Sequence, residues 1–206
     1  MNEKNKIMFG LKNVHYAIVT ETTAEGKTTS SYGPVKPWPG AVSMSADPEG
    51  ETSPFYADDT VYVTTDSNSG YSVSLECALV PEEIDTDVLG QTKTKDGVIV
   101  ESNNDRKKYI AFLFEFDGDV KARRLIFYRC FLSRPKIEGQ TKEDKVDPKT
   151  NTVEMSASPR PDINVIDGVE KHFIKSYTSA DVNTTAYNNW YKEVYVPSEA
   201  AASENV

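Results

Sequence analysis

Histidine and cysteine are scarce in this 206-residue chain, at two apiece, and each scarcity removes a class of function. His15 and His172 stand far apart with no H-x-x-H or H-E-x-x-H around either, so no metal centre is expected. Cys77 and Cys130 both fall in apolar strand patterns and read as buried reduced thiols rather than a disulfide. Neither has a histidine beside it, and there is no G-x-S-x-G elbow, so nothing marks a nucleophile. G-x-G-x-x-G and G-x-x-x-x-G-K-[ST] are absent, which leaves no phosphate-cradling loop and no cofactor to expect. An N-terminal apolar run, an arginine-rich presequence and an apolar stretch of about 18 residues are also missing, so neither export nor a membrane partner is expected. The sequon Asn183-Thr184-Thr185 then has no reason to be glycosylated.

Cations are the next shortage. Lys and Arg total 23 against 32 Asp and Glu, a formal net charge of -9, which disfavours non-specific adhesion to nucleic acid. The compact basic groups are Arg106-Lys107-Lys108 and Lys121 with Arg123-Arg124; they read as solubilising strand ends or as pairs for acidic neighbours. Carboxylates are plentiful, so Glu115 near Asp117, or Asp58 beside Asp59, could be imagined as the acid and base of a glycosidase, but any acidic chain yields such pairs by chance. Asp117-Gly118-Asp119 resembles an acidic metal loop only superficially, since the liganding positions of a calcium loop do not follow, and it is expected to be a turn. These residues describe a chemically quiet protein.

What is abundant is β pattern. Tyr109 to Arg134 reads as two apolar strands joined at Asp117-Gly118-Asp119, the strongest local hairpin signal. Before the turn Ile110, Phe112, Phe114 and Phe116 oppose Tyr109, Ala111, Leu113 and Glu115. After it Leu125, Phe127 and Phe131 alternate with Ile126, Tyr128, Cys130 and Leu132. This pair is placed at the centre of a β-rich core, with Leu75, Cys77, Phe112, Phe114, Phe127 and Cys130 as core residues.

Further strands are expected at Val14 to Val19, from Val42 until Asp47-Pro48, at Tyr71 to Val80 with Leu79 facing the core, and at Thr152 to Ser158. Pro34, Pro37 and Pro39 confine their segment to an edge. Pro81 to Leu89 reads as a short helix docking Ile84 and Val88. Met1 to Lys6 reads as mobile, and Ser198 to Val206 as disordered. Two stretches look underemployed in a monomer. Asp47 to Asp66 carries Phe55, Tyr56 and Tyr62 among polar residues, and the tail carries Tyr187, Trp190, Tyr191, Val194 and Tyr195.

Five blocks carry a family likeness: FGLKNVHYA (Phe9 to Ala17), GETSPFYADDTVY (Gly50 to Tyr62), NSGYSVSLECALVPEEIDTDVLG (Asn68 to Gly90), FLFEFDGDVKARRLIFYRCFLSRP (Phe112 to Pro135) and YNNWYKEVYVP (Tyr187 to Pro197). On these the chain resembles the major tail protein, or tail tube protein, of siphophages with long non-contractile tails and Gram-positive hosts. The resemblance implies one domain over 1–197. Its fold would be a β-sandwich whose inner sheet forms a barrel on oligomerisation, with a short flanking α-helix, an inter-subunit arm at about 47–66 and a C-terminal contact segment at about 162–197. It implies homo-hexameric rings stacked into a tube that conducts DNA during ejection, inside a virion tail built after a stage in the host cytoplasm. The tape measure protein, tail terminator and distal tail protein are the implied partners. Phe55, Tyr56, Asp58, Asp59, Tyr62, Tyr187, Trp190 and Tyr191 are the expected inter-subunit contacts. No catalytic residue and no immunoglobulin-like decoration domain is expected. The alternatives are a β-sandwich carbohydrate-binding module and a small glycosidase.

Overall fold

The structure, a computed structural model, describes residues 4–137, 139, 149–166 and 168–197; Met1 to Glu3 and the Ser198 to Val206 tail lie outside these. Strands β1 (Met8–Ala24) and β2 (Lys27–Tyr32) form a hairpin, followed by β3 (Lys36–Pro37), β4 (Ala41–Glu49), β5 (Thr52–Ala57), β6 (Thr60–Asp66) and β7 (Gly70–Cys77). A π-helical turn (Ile84–Val88) leads to β8 (Thr92–Lys93) and β9 (Ile99–Val100). The central strands are β10 (Tyr109–Gly118) and β11 (Arg123–Leu132), followed by β12 (Asn151–Ala157), β13 (Asn164–Ile166), β14 (Val169–Lys171), β15 (Lys175–Tyr177) and helix α1 (Thr184–Asn189).

One antiparallel sheet dominates, in the order β2-β1-β10-β11-β12-β7-β4, with β3 on β1 and β15 on β11. It folds over on itself, bringing β1 into contact with β4 although they stand far apart in the pairing order. The result is a β-sandwich made from one continuous sheet. Ile110, Phe112 and Phe114 of β10 face a first core with Val73, Leu75 and Cys77 of β7 and Val153, Met155 and Ala157 of β12; Phe127 and Cys130 lie in it too. Ala111 and Leu113 face a second core, with Ile126, Tyr128 and Trp190. Covered on both faces, β10 needs apolar residues at successive positions, which its sequence supplies. Cys77 and Cys130 are free and buried, and burial pushes both thiols up, away from thiolate chemistry.

Several expectations are corrected. The Asp-Gly dipeptide is not the turn: Asp117 pairs with Phe9 and Gly118 with Met8 of β1, and the connection falls at 119–122. The reason lies at the N-terminus. The Asn5 side chain donates to the Lys121 carbonyl and accepts from the Val120 and Lys121 amides, while the Lys6 amide donates to Asp119 Oδ1 at 2.9 Å. A Cβ on Gly118 would overlap the Asn5 side chain, so this glycine serves close approach rather than a left-handed turn. Asn5 and Lys6, read as mobile, are thus tied down.

The face assignments in β11 also change. Ile110 pairs with Cys130 but Phe112 with Phe127, so β11 carries one extra residue opposite β10. That bulge reverses the alternation. Cys130 and Leu132 join Phe127 in the first core, and Phe131 turns outward. Strand β1 extends well beyond Val14 to Val19, with the residues after it forming a hairpin across Glu25 and Gly26, both at left-handed φ. β4 runs through Asp47 and Pro48 because it is the edge strand, where proline forfeits no ladder bond. β7 stops at Cys77 and leaves Leu79 71% exposed. The segment after Pro81 buries Ile84 and Val88, yet closes on a 2.9 Å bond from the Leu89 amide to the Ile84 carbonyl, which is π rather than α geometry.

Candidate assembly interface

Three surfaces stand out, and the first is a ribbon. β5 and β6 pair only with each other, turning at Asp58 and Asp59, both in the left-handed region at φ 49° and 58°. Two successive left-handed residues are what a tight hairpin requires, and aspartate tolerates that conformation better than most side chains. The ribbon grows out of the β4–β7 ladder: the last β4–β7 pair is Glu49 with Gly70, and the Ser69 amide to Glu49 carbonyl and Ser67 amide to Glu51 carbonyl bonds (2.8 and 3.0 Å) carry it into β5–β6. Phe55 lies opposite Val63 and Tyr56 opposite Val61, with a register shift between the two pairs. Being adjacent in a strand, Phe55 and Tyr56 point to opposite faces. Phe55 is 62% exposed, Tyr56 64% and Tyr62 72%. An isolated ribbon with apolar rings on both faces cannot cover either face itself.

The second surface is the C-terminal layer, which is engaged with its own subunit. Trp190 is 3% exposed and lies in the second core, stacked on Tyr195 at 5.6 Å. Tyr191 donates to Glu115 Oε2 at 3.2 Å and lies against His15 at 4.6 Å. Tyr187 donates to the Ala122 carbonyl at 3.1 Å, its own carbonyl accepts from Arg124 Nη1, and its ring lies 3.7 Å from that guanidinium. Glu115 is only 4% exposed and also accepts from Arg124 Nε (3.0 Å) and Asn13 Nδ2 (2.6 Å), so its buried charge is fully partnered. Burial and the Glu115 charge push the Tyr191 hydroxyl far above its ordinary value. The sequence reading placed Trp190 and Tyr191 at a subunit contact; here both are occupied within the chain. Asn183 caps α1, accepting from the Thr185 amide at 2.8 Å. The sequence offered no clear sign of this six-residue helix.

The same geometry disposes of the imagined acid and base. Glu115 is sealed, Asp117 is paired with Lys12 at 2.6 Å, and Asp58 and Asp59 sit at an open ribbon tip. Among the described residues no group of three or more His, Cys, Asp and Glu is placed to hold a metal ion. A polar knot that sequence reasoning missed ties β2 to the C-terminal layer. Arg160 Nε donates to Asp162 Oδ2 at 3.0 Å, and the Ser30 amide donates to Asp162 Oδ1 at 2.9 Å. Burial opposes ionisation of Asp162, but these bonds outweigh it and hold the carboxyl at about 2. An unfolded aspartate titrates near about 3.9, so the stability Asp162 supplies is complete above about pH 4 and is lost as the pH falls toward about 2. Asp162→Asn is expected to flatten that limb of an acid-unfolding curve; an unchanged limb would contradict the assignment.

The third surface is the outer face of β4, β7 and β12. Register sets its side chains in rows: Ser43, Glu76 and Thr152; then Ser45, Ser74 and Glu154; then Asp47, Ser72 and Ser156. Hydroxyls pin two of the carboxylates: Ser43 and Thr150 donate to Glu76 at 2.7 and 2.6 Å, and Ser74 donates to Glu154 at 2.8 Å. None of the nine is Lys or Arg. The Ser-x-Ser-x-Glu phase of β7 and the Thr-x-Glu-x-Ser phase of β12 were the visible signals of this face.

A search of curated proteins returns no match to the chain. A family model described as phage tail tube protein matches residues 2–200, nearly the whole sequence. With a match of that extent, on a chain that folds as a β-sandwich, the chain belongs to the phage tail tube protein family, as a structural protein of the virion tail.

Proposed function

We propose that six copies of this chain close into a ring and that rings stack into a hollow tube conducting DNA during ejection. The observation that carries this reading is the β5–β6 ribbon, exposed on both faces and continuous with the β4–β7 ladder. Phe55, Tyr56 and Tyr62 fill pockets on an adjacent subunit or ring, with Asp58 and Asp59 leading the tip. The unpaired edge of β4 supports ring closure, because an open edge strand invites pairing and a closed ring leaves none. The organisation is one tube domain over 1–197 with its arm at about 47–66.

In the C-terminal contact segment, at about 162–197, the inter-subunit share falls on the β13–β14 ribbon, which also pairs only with itself and exposes Val165 and Val169. Tyr187, Trp190 and Tyr191 support that contact from within. The tube's ends engage a terminator and a distal tail protein, and a tape measure protein occupies the lumen before DNA does. Subunits wait in the host cytoplasm before assembly. Nothing in the fold or the comparison favours a carbohydrate-binding module or a glycosidase. Cryo-EM of native tails tests the reading, with sixfold rotational symmetry expected; any other symmetry overturns the ring.

A further inference from the structure

We propose that the Asp58-Asp59 tip of the ribbon seats in a cationic cleft on a second copy of this chain, a pairing that rests on the arm reading above and names the surface that receives it. The cleft lies between the N-terminal segment, the β10–β11 connection and the residues that follow β15, and encloses about 320 Å³. Lys4, Lys121 and Arg123 line it together with Asp181. Three cations against one carboxylate leave an excess of two positive charges, and the tip carries two negative ones.

The two central cations are held but not neutralised. Lys121 Nζ lies 4.1 Å from the Tyr187 ring centre, and the Arg123 guanidinium 5.2 Å from that of Tyr177. An aromatic face attracts a cation without cancelling its charge. Among the described residues neither forms an ion pair, whereas the adjacent Arg124 is taken up by Glu115. Asp181 is engaged locally: hydrogen bonds from Ser179 and from its own backbone, with the Lys4 charge beside them, hold its carboxyl below the usual range. The walls are also fixed in advance. Asn5 bonds to the Lys121 carbonyl and to the Val120 and Lys121 amides. The Thr178 hydroxyl accepts from the Arg124 amide at 3.0 Å, and the Thr178 amide donates to the Arg124 carbonyl at 2.9 Å. A preformed cleft spares a partner the cost of ordering it.

The tip carries charge that its turn does not ask for. A two-residue loop with both residues left-handed is best made by Asn-Gly, yet Asp58 and Asp59 set two like charges side by side there. Among the described residues neither carboxylate forms an ion pair. No ribbon residue lines the cleft, so a subunit's own tip does not fill it. Complementary charge of this kind fixes register and speeds encounter between copies. A second cationic cleft, where Lys175 lies over Tyr71, opens beside the ribbon's root at Asn68 and provides a control.

Charge removal and cross-linking test the pairing. Asp58→Asn/Asp59→Gly keeps the favoured turn, so the monomer should melt no lower than wild type while tube formation slows about tenfold or more. Lys121→Glu/Arg123→Glu should slow it as much, and adding Asp58→Lys/Asp59→Lys to that chain should restore it. Wild-type rates in the Asn-Gly variant overturn the proposal, as does a folded fourfold variant that stays as slow as the cleft reversal alone. Should the fourfold variant not fold, cross-linking decides against a quiet background, because Cys77 and Cys130 are buried. Oxidised tubes of Asp59→Cys/Arg123→Cys subunits should give a ladder of linked chains that neither single variant gives. No ladder overturns the pairing, and so does a ladder from Asp59→Cys/Lys175→Cys in its place. If the wild type itself forms no tubes, the tube reading has failed instead.

Discussion

Tyr56→Ala subunits are expected to fold normally and to fail at building tubes. Tyr56 is 64% exposed on a ribbon that pairs only with itself, so truncating it opens no cavity. The monomer's circular dichroism and melting temperature should therefore stay within error of wild type. An aromatic anchor at an interface commonly contributes about 2 kcal/mol or more, equivalent to roughly thirtyfold in a single association constant. A tube repeats the contact in every subunit, and the loss compounds along its length. Polymerisation at matched concentration, followed by light scattering and electron microscopy, is the measurement. Wild-type rate and length distribution would show that Tyr56 is an ordinary surface residue. A folding failure would place its ring in the subunit's own core, against the exposure seen here. Phe55→Ala probes the ribbon's opposite face, and a defect there as well would mean that both faces are covered in the tube.

Phe114→Ala should do the reverse and damage the subunit itself. Its ring is buried between Phe112, Phe116 and Phe127, with centroids 5.4, 5.5 and 5.9 Å away. Three neighbouring rings cannot all collapse into the space left by one, so the loss should reach about 3 to 5 kcal/mol. That is a large share of the 5–15 kcal/mol typical of a folded domain. Chemical denaturation of the monomer reads it directly. A loss below about 1 kcal/mol would contradict close packing at this position. The two variants together separate folding from assembly.

The period of two made much of this architecture legible. It marked β7, β10 and β12 and the opposition of Phe112 and Phe114 to Ala111 and Leu113, because a half-buried or doubly buried strand cannot hide its side-chain phase. It failed where a remote residue decides the outcome. Asp117-Gly118 has the local chemistry of a turn, but Asn5, more than a hundred positions earlier, needs that glycine as a strand residue. One inserted residue in β11 sent Phe131 outward and Cys130 inward, and nothing local announces such a bulge. At the candidate interface, the misfit of Phe55 and Tyr56 with their polar surroundings was visible. The destination of Trp190 was not, since an aromatic tail reads the same whether it docks on its own subunit or on another.

The contrast between the local β4–β7 hairpin and the remote β1–β10 pairing bears on the order of events during synthesis. The arm and its root are complete once Cys77 has been made, whereas β1 waits for a partner that ends at Gly118. At 5–20 residues per second, that gap is about 2 to 8 seconds. Pairing over so long a sequence separation is itself slow. A nascent chain is therefore expected to present its aromatic ribbon before it owns a finished core. The segment that seals Glu115 and Arg124, Tyr187 to Tyr191, is translated later still. The timing of polymerisation is thus expected to follow this later-made layer rather than the earlier-made arm.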